Sequence, residues 1–144
     1  CLEWTHDDHR STVVGEHDGY RRLPDPVEHR RAVSLDIAQR TFTIRDALTM
    51  AAPHRIAIAF HVSERASVRR VEPHRFEIAT PRGSVELMLD PRTQPTLTEA
   101  GDEQHGGWVS RGYHRRSPST SIAASLESSS RVEIETRIVV GTPR

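Results

Sequence analysis

The chain has 144 residues, of which 35% are hydrophobic, and this size suits one compact domain with a modest core. Its 20 basic and 20 acidic residues give a net charge of zero, whereas proteins that bind nucleic acid usually carry a basic field. No apolar run approaches the roughly 18 residues that a membrane-spanning helix needs. We therefore expect neither nucleic acid nor a membrane as a partner.

The first residues are polar, and Cys1 is the one cysteine of the sequence. A single cysteine excludes an internal disulfide and leaves the redox compartment open. We expect residues 1–12 to form a partly ordered N-terminal lead-in. A start at Cys rather than Met suggests a processed or truncated piece of a longer protein, whose targeting signal would then be absent from this sequence.

Two histidines in this lead-in, His6 and His9, enclose Asp7 and Asp8. Imidazole and carboxylate groups both suit zinc, so His6 and His9 are candidate metal ligands. The alternative is a solvated terminal segment without a ligand.

The segment 16–23, with the sequence EHDGYRRL, joins ionisable side chains to a tight turn. His17 and Tyr20 are the candidate catalytic pair, because an imidazole and a phenol can exchange protons when a nearby guanidinium favours the phenolate. The alternative is a scaffold role, in which Asp18-Gly19 forms a hairpin turn and Tyr20 begins the next strand.

Basic side chains follow this turn, and every basic residue of the chain other than histidine is an arginine. Candidate substrate-binding residues are Arg21, Arg22, His29 and Arg30. Guanidinium groups bind planar carboxylates and sulfates through two N–H groups, which is why arginine is suited to this role. The alternative is that these arginines and Arg31 pair with nearby carboxylates. Those carboxylates are Glu16, Asp18, Asp25 and Glu28.

Beyond this region, apolar residues recur at every second position, which is the period of a β-strand. The clearest runs are Ile56, Ile58, Phe60 and Val62, and then Val132, Ile134, Ile138 and Val140. Breakers separate the runs, and residues 91–107 are polar and long enough for a loop. The pattern predicts about nine or ten strands and no helix, which is typical of an all-β, antiparallel two-sheet β-sandwich. We place this domain at residues 13–144.

The order of several motifs resembles the C-terminal β-sandwich portion of the heparinase II/III-like polysaccharide lyases. The resemblance extends over residues 13–140 and rests on these motifs: HDGYRRL at 17–23, HRR at 29–31, IRDAL at 44–48, the strand 54–62, and GWVS at 107–110 before Tyr113.

The resemblance implies a longer parent that joins an N-terminal α/α-toroid to the β-sandwich and cleaves uronic-acid polysaccharides by β-elimination. In that family the toroid supplies the principal catalytic Asn, His and Tyr. A His-x-His-x-Asp stretch and a later Ala-His-Asn add a substrate-facing His and a metal site, and neither motif occurs in this chain. The implied function is thus that of a non-catalytic fragment, inactive alone and without a cofactor, although the parent can hold a metal.

The same resemblance implies two partners, the missing toroid and an acidic polysaccharide such as a glycosaminoglycan or alginate. It also implies a periplasmic or secreted parent, whereas the residues alone assign no compartment.

Two other functions fit the same sequence. A stand-alone carbohydrate-binding or adhesion module would present Trp4, Trp108 and Tyr113 as exposed, coplanar rings, so Trp108 is a further candidate substrate-binding residue. A broad apolar docking face would favour the lyase fragment instead. A small independent enzyme would need His17 and Tyr20 to face one pocket.

Overall fold

The computed structural model describes residues 1–102 and 107–141, so residues 103–106 of the predicted loop lie outside it. The described residues form thirteen strands and no helix, and their strand pairs are antiparallel. The predicted class, an all-β antiparallel β-sandwich, is confirmed. The strands are β1 Glu3–His6, β2 Arg10–His17, β3 Glu28–Asp36, β4 Thr41–Thr49, β5 His54–His61, β6 Ser67–Glu72, β7 Arg75–Thr80, β8 Gly83–Met88, β9 Gln94–Thr98, β10 Trp108–Gly112, β11 Arg115–Pro118, β12 Ser121–Ser128 and β13 Val132–Val140.

The chain divides into two compact units. The first contains Cys1–Ile56 and Glu127–Val140, and the second contains Ala57–Leu126 together with Gly141. The division differs from the predicted boundary between residues 12 and 13, which stays a prediction.

Five strands of the first unit lie in the order β1-β2-β3-β4-β13. Their register places Trp4 opposite Val13, Val13 opposite Val33, and Val33 opposite Ile44. Partners in an antiparallel ladder project from the same side of the sheet. This side carries a run of apolar residues that we call the apolar face, namely Trp4, Val13, Val33, Leu35, Phe42, Ile44 and Ile138. The same side also carries the buried residues Asp46, Leu48 and Ile134.

The opposite side of the first unit is mostly polar, although the buried Val14 also lies on it. Arg45 and Glu135 are register partners there and form an ion pair with a 3.0 Å Nε to Oε2 distance. Alternation of apolar and polar positions along each strand produces this two-sided character, as the period of two predicts.

The second unit contains the strand orders β8-β7-β6 and β5-β12-β9 and the hairpin β10-β11. Its core is formed by Phe76, Leu87 and Ile122, each at most 1% exposed. The predicted alternation in β5 holds, since Ile56 and the following Val62 are buried. The connection at Ser119 is also buried, and its hydroxyl donates to the carbonyl oxygen of Val62 at 2.7 Å.

The predicted number of strands was too low, and the predicted loop at 91–107 contains β9. Pro95 lies within β9 and cannot donate a ladder hydrogen bond, but β9 is an edge strand of its sheet, where proline is tolerated. The short β1 and the hairpin strands β10 and β11 were also missed, because four- or five-residue polar strands show little alternation.

The hairpin turn predicted at Asp18-Gly19 is wrong. β2 ends at His17 and β3 begins only at Glu28, so residues 18–27 form a longer loop, and Tyr20 lies in it. Pro24 and Pro26 explain the delay, since a proline lacks the N–H that pairing within the ladder requires.

Candidate functional site

A groove of about 520 Å³ lies in the first unit, beside the loop 18–27 and the adjoining ends of β2, β3 and β4. Its basic lining residues are Arg21, Arg30 and Arg131, and its acidic ones are Glu16, Asp18 and Glu28. Ala47 and Thr49 also line it, and the small side chain of Ala47 leaves room between its larger neighbours. The groove is polar and has a balanced formal charge.

His17 and His29 line the groove and are directly opposite each other in the β2–β3 ladder. Their rings meet edge to face, with Nε2 of His17 2.9 Å from Nδ1 of His29. Tyr20 packs edge-on against His17 at a ring-centroid distance of 4.9 Å. The structure thus brings the predicted pair His17 and Tyr20 together, although Tyr20 is not among the groove-lining residues.

The direction of each hydrogen bond in this group follows from the donors. The backbone N–H of Gly19 can only donate, so Nδ1 of His17, 3.2 Å away, is the acceptor. The neutral ring of His17 then carries its proton on Nε2 and donates it to His29. His29 in turn donates from its own Nε2 to Oδ1 of Asp46 at 2.6 Å.

Asp46 ends this series, and we call His17, His29 and Asp46 the histidine chain. Asp46 is 1% exposed, and Arg31 binds it through two bonds, Nε to Oδ1 at 2.6 Å and Nη2 to Oδ2 at 3.0 Å. A buried carboxylate is stable only when it is paired and hydrogen-bonded, and His29 and Arg31 meet this requirement.

The sequence placed Asp46 in the IRDAL motif, and its connection to His17 was missed. The signal was present in β4, where Phe42, Ile44 and Leu48 alternate and Asp46 takes the intervening position on their side. A charged residue at an inward position requires a partner. The identity of that partner, Arg31, depends on the β3–β4 register.

The candidate binding arginines take different positions. Arg21 lies 3.9 Å from Glu28, and both side chains are exposed, so this pair adds little stability. Arg30 lies opposite Ala47 and lines the groove. Within residues 1–102 and 107–141, no hydrogen bond or ion pair engages the side chains of Arg22, Arg30 or Arg131.

The alternative pairing of these arginines with local carboxylates is seen for Arg21 and Glu28, whereas Asp25 has another role. Oδ2 of Asp25 accepts hydrogen bonds from the backbone N–H groups of Ala51 and Ala52 and lies 2.8 Å from Nε2 of His54. The N–H of Ala52 and then His54 lower the pKa of Asp25. Asp25 therefore fastens the second half of the loop 18–27.

Trp108 belongs to the second unit and is not among the groove-lining residues. Its indole N–H donates to the carbonyl oxygen of Asp102 at 3.2 Å, and the guanidinium of Arg116 lies 4.2 Å from its ring centroid. Tyr113, by contrast, is 90% exposed and contacts the ring of His114.

The predicted metal ligands His6 and His9 lie at the β1–β2 turn. Asp7, between them, accepts the backbone N–H groups of His9 and Arg10 at 2.8 Å, and these bonds lower its pKa. His6 bonds to the hydroxyl of Ser11 at 2.7 Å. Across the described ranges, no group of three or more His, Cys, Asp or Glu side chains could hold a metal ion.

No helix suitable for crossing a membrane occurs in the described part of the chain.

Comparisons with known proteins relate this chain to polysaccharide lyases. The chain is similar to heparinase III, the BT4657 gene product, with 17% identity and a TM-score of 0.77 over 97% of this chain. It is also similar to heparan sulfate lyase HepC from Pedobacter heparinus, with 12% identity and a TM-score of 0.74 over 96% of this chain. In both cases it spans only 21% of the other chain. None of the curated proteins matches it.

A further structural likeness shows that the fold alone does not define the activity. A 4-alpha-glucanotransferase from Thermococcus litoralis shares 14% identity and a TM-score of 0.57 over 95% of this chain, which covers 22% of that enzyme. The sequence family is more specific, because the model of the heparinase II/III-like C-terminal family matches residues 2–140. The chain therefore belongs to the heparinase II/III-like C-terminal family.

Proposed function

We propose that this chain is the non-catalytic C-terminal β-sandwich portion of a polysaccharide lyase, and that its parent cleaves uronic-acid polysaccharides by β-elimination. The family match over residues 2–140 carries the proposal. The chain spans about a fifth of the length of the lyases it resembles, which leaves most of such an enzyme for the catalytic domain. The parent would act in the periplasm or outside the cell.

The protonation pattern of the histidine chain supports a non-catalytic role. Removing a proton from a sugar ring requires a base with a free lone pair within reach of the substrate. In His17 the Nδ1 lone pair is engaged by Gly19, and Nε2 is engaged by His29. His17 therefore has no free nitrogen for an independent enzyme built on His17 and Tyr20.

The apolar face of the first unit supports docking onto the rest of a lyase. Its interior members, among them Val33, Phe42 and Ile44, keep partial exposure although Leu48 and Ile134 on the same side are buried, and Trp4 at its edge is 67% exposed. Contiguous exposed apolar surface marks a protein interface. We assign this face to the α/α-toroid domain of the same parent.

Mutation of Trp4 tests this assignment. Trp4→Ser should weaken binding of the 144-residue chain to the separately produced toroid at least about tenfold, because a large aromatic side chain is lost from the contact. Tyr113→Ser is the matched control, since Tyr113 is more exposed but belongs to the second unit. Isothermal titration calorimetry measures both affinities, and equal losses for the two variants would contradict docking through the apolar face.

The groove supports contact with an acidic polysaccharide. Arg30 and Arg131 border it, and in the described ranges neither guanidinium is occupied by a carboxylate. Such groups can bind the carboxylates or sulfates of a sugar chain through paired N–H bonds. The acidic lining residues limit this attraction, so we expect weak binding that depends on salt.

A binding titration at two salt concentrations tests this contact. Heparin should bind the chain at low salt, and Arg30→Ala and Arg131→Ala should each weaken the binding severalfold while folding is retained. Arg82→Ala serves as the matched control, because Arg82 is exposed in the second unit and does not line the groove. If none of the three variants changes heparin binding, the result contradicts contact between the groove and the polysaccharide.

The alternative of a stand-alone carbohydrate-binding module is favoured by one observation, the exposure of Trp4 and Tyr113. The third ring, Trp108, is half-buried and has a guanidinium against it. This ring has less free surface for stacking on a sugar than the alternative needs.

A further inference from the structure

The loop 18–27 has one hydrogen-bonded attachment near its start and another near its end. Between them the N–H of Val27 donates to the carbonyl oxygen of Tyr20, and Arg21 lies near Glu28. Near its start, Gly19 donates to Nδ1 of His17, which is the outer end of the histidine chain. Near its end, Asp25 accepts the N–H groups of Ala51 and Ala52. The two attachments differ in chemistry, because the first depends on a neutral imidazole and the second on a carboxylate.

The histidine chain accommodates one proton on each ring and no more. A second proton on His17 would place an Nδ1–H against the N–H of Gly19, where the two nitrogens are 3.2 Å apart. A second proton on His29 would place its Nδ1–H against the Nε2–H of His17 across 2.9 Å. Either proton replaces a hydrogen bond with two opposed donors.

The ionisable groups near the His17 and His29 rings come mainly from β3, β4 and the loop 18–27. β4 contributes Asp46 to His29, and β3 contributes Arg31, whose guanidinium binds the same carboxylate. The loop contributes Tyr20 against His17. Other ionisable groove-lining residues are Glu16, Asp18, Arg21, Glu28, Arg30 and Arg131. Asp46 attracts a protonated His29, but Arg31 already balances that carboxylate.

We propose that the histidine chain is an acid-sensitive latch that holds the start of the loop 18–27, at Gly19, beside the groove at neutral pH and releases it in acid. Imidazoles take up their second proton between about pH 8 and pH 5. The closed loop binds fewer protons than the released loop, so falling pH favours release by up to about tenfold per pH unit for each proton taken up. The inference goes beyond the proposed function and does not depend on it.

The attachment at Asp25 provides an internal control. The pKa of Asp25 lies below its ordinary value, so this carboxylate stays ionised at the pH at which the histidines take up protons. Two of the groups that donate to Asp25 are the backbone N–H groups of Ala51 and Ala52, which do not titrate. The second half of the loop, with its bond from the N–H of Val27 to the carbonyl oxygen of Tyr20, therefore stays attached when Gly19 is released.

Nuclear magnetic resonance of the isotope-labelled 144-residue chain tests the latch. At about pH 7.5, the ring nitrogens of His17 and His29 should show the proton on Nε2. On acidification to about pH 5, the protection of the Gly19 amide against hydrogen exchange, corrected for intrinsic pH dependence, should fall at least about tenfold. The protection of the Ala52 amide should stay within about twofold over the same interval.

The variant His17→Gln separates the latch from other effects of pH. Its amide oxygen can accept from Gly19 but takes up no proton, so Gly19 protection should become independent of pH. His61→Gln is the matched control, because His61 bonds to Ser121 in the second unit and should leave the wild-type behaviour unchanged.

Three results would overturn the latch: constant Gly19 protection in the wild type, parallel loss at Gly19 and Ala52, or unchanged pH dependence in His17→Gln. If His17→Gln does not fold, the wild-type ring spectra test the latch instead, because they show which nitrogen of His17 carries the proton. A proton on Nδ1 of His17 at neutral pH would refute the latch. None of these outcomes bears on heparin binding or docking.

Discussion

Asp46 is the residue on which the local structure around the groove depends most. It is a charged side chain on the apolar side of β4, and the free energy of removing it from water is offset by Arg31 and His29. Through His29 it fixes the tautomer of His17 and thereby the attachment of Gly19. One inward carboxylate thus connects strand packing to the loop beside the groove.

Asp46→Asn should lower the free energy of unfolding by roughly 3 kcal/mol, because it leaves the Arg31 charge unpaired and sets an amide N–H group among donors. Urea unfolding followed by circular dichroism measures the change. Asp36→Asn is the matched control, since Asp36 is more exposed and meets Arg10 at 3.9 Å, and the asparagine oxygen can still accept the N–H of Gln39. Its cost should stay below about 0.5 kcal/mol. Equal costs for the two variants would contradict the importance of the buried pair.

At the scale of elements, the β10–β11 hairpin is attached to the rest of the second unit through Glu64. Arg111 in β10 donates from Nε to Oε1 at 2.6 Å and from Nη2 to Oε2 at 2.8 Å. This bidentate bond with Arg111 is the main cause that lowers the pKa of Glu64 to about 2.

The attachment of this hairpin should therefore depend on pH. The pKa of Glu64 in the folded protein lies below the ordinary 4.5, so the stabilisation is complete above pH 4.5 and is lost as the pH falls towards 2. Unfolding titrations at several pH values should show wild type more stable than Glu64→Gln near neutral pH, with the difference shrinking in acid. A difference that stays constant down to the lowest pH would contradict the assignment, and Glu3→Gln controls for removing an exposed carboxylate.

Most elements could be predicted from alternation, since β4, β5, β7, β8, β12 and β13 all contain apolar residues at every second position. Elements without this signal were missed or misplaced. β9 is polar and contains Pro95, and the loop 18–27 is longer than the Asp18-Gly19 turn suggested. In both cases a proline, which lacks the N–H that strand pairing uses, explains why the sequence pattern misled the prediction.

The candidate site could be predicted only in part, because most of its contacts join residues on different strands. The segment 16–23 contained the correct residues, and the meeting of His17 and Tyr20 follows from their short separation in sequence. The connections from His17 to His29 and from Arg31 to Asp46 depend on register between strands, which the sequence of one strand does not determine. Arg131 reaches the groove from the far end of the chain.

At the scale of the whole molecule, the two units differ in what they expose and what they bury. The first combines the apolar face with the polar groove, and the second has the most deeply buried core, at Phe76 and Ile122. Family membership and the apolar face together favour a role that is completed by another domain, rather than a separate reaction centre.

The most direct test of this account is lyase turnover by the chain alone and by the chain joined to its toroid. Incubation with heparin, heparan sulfate and alginate, followed by the ultraviolet absorbance of the unsaturated product, should show no turnover by the 144-residue chain. Under the proposed function, turnover should be detected when the toroid is present, because the proposal assigns the base and acid of β-elimination to that domain. Turnover by the chain alone that is lost in Tyr20→Phe would contradict the account and establish an independent enzyme.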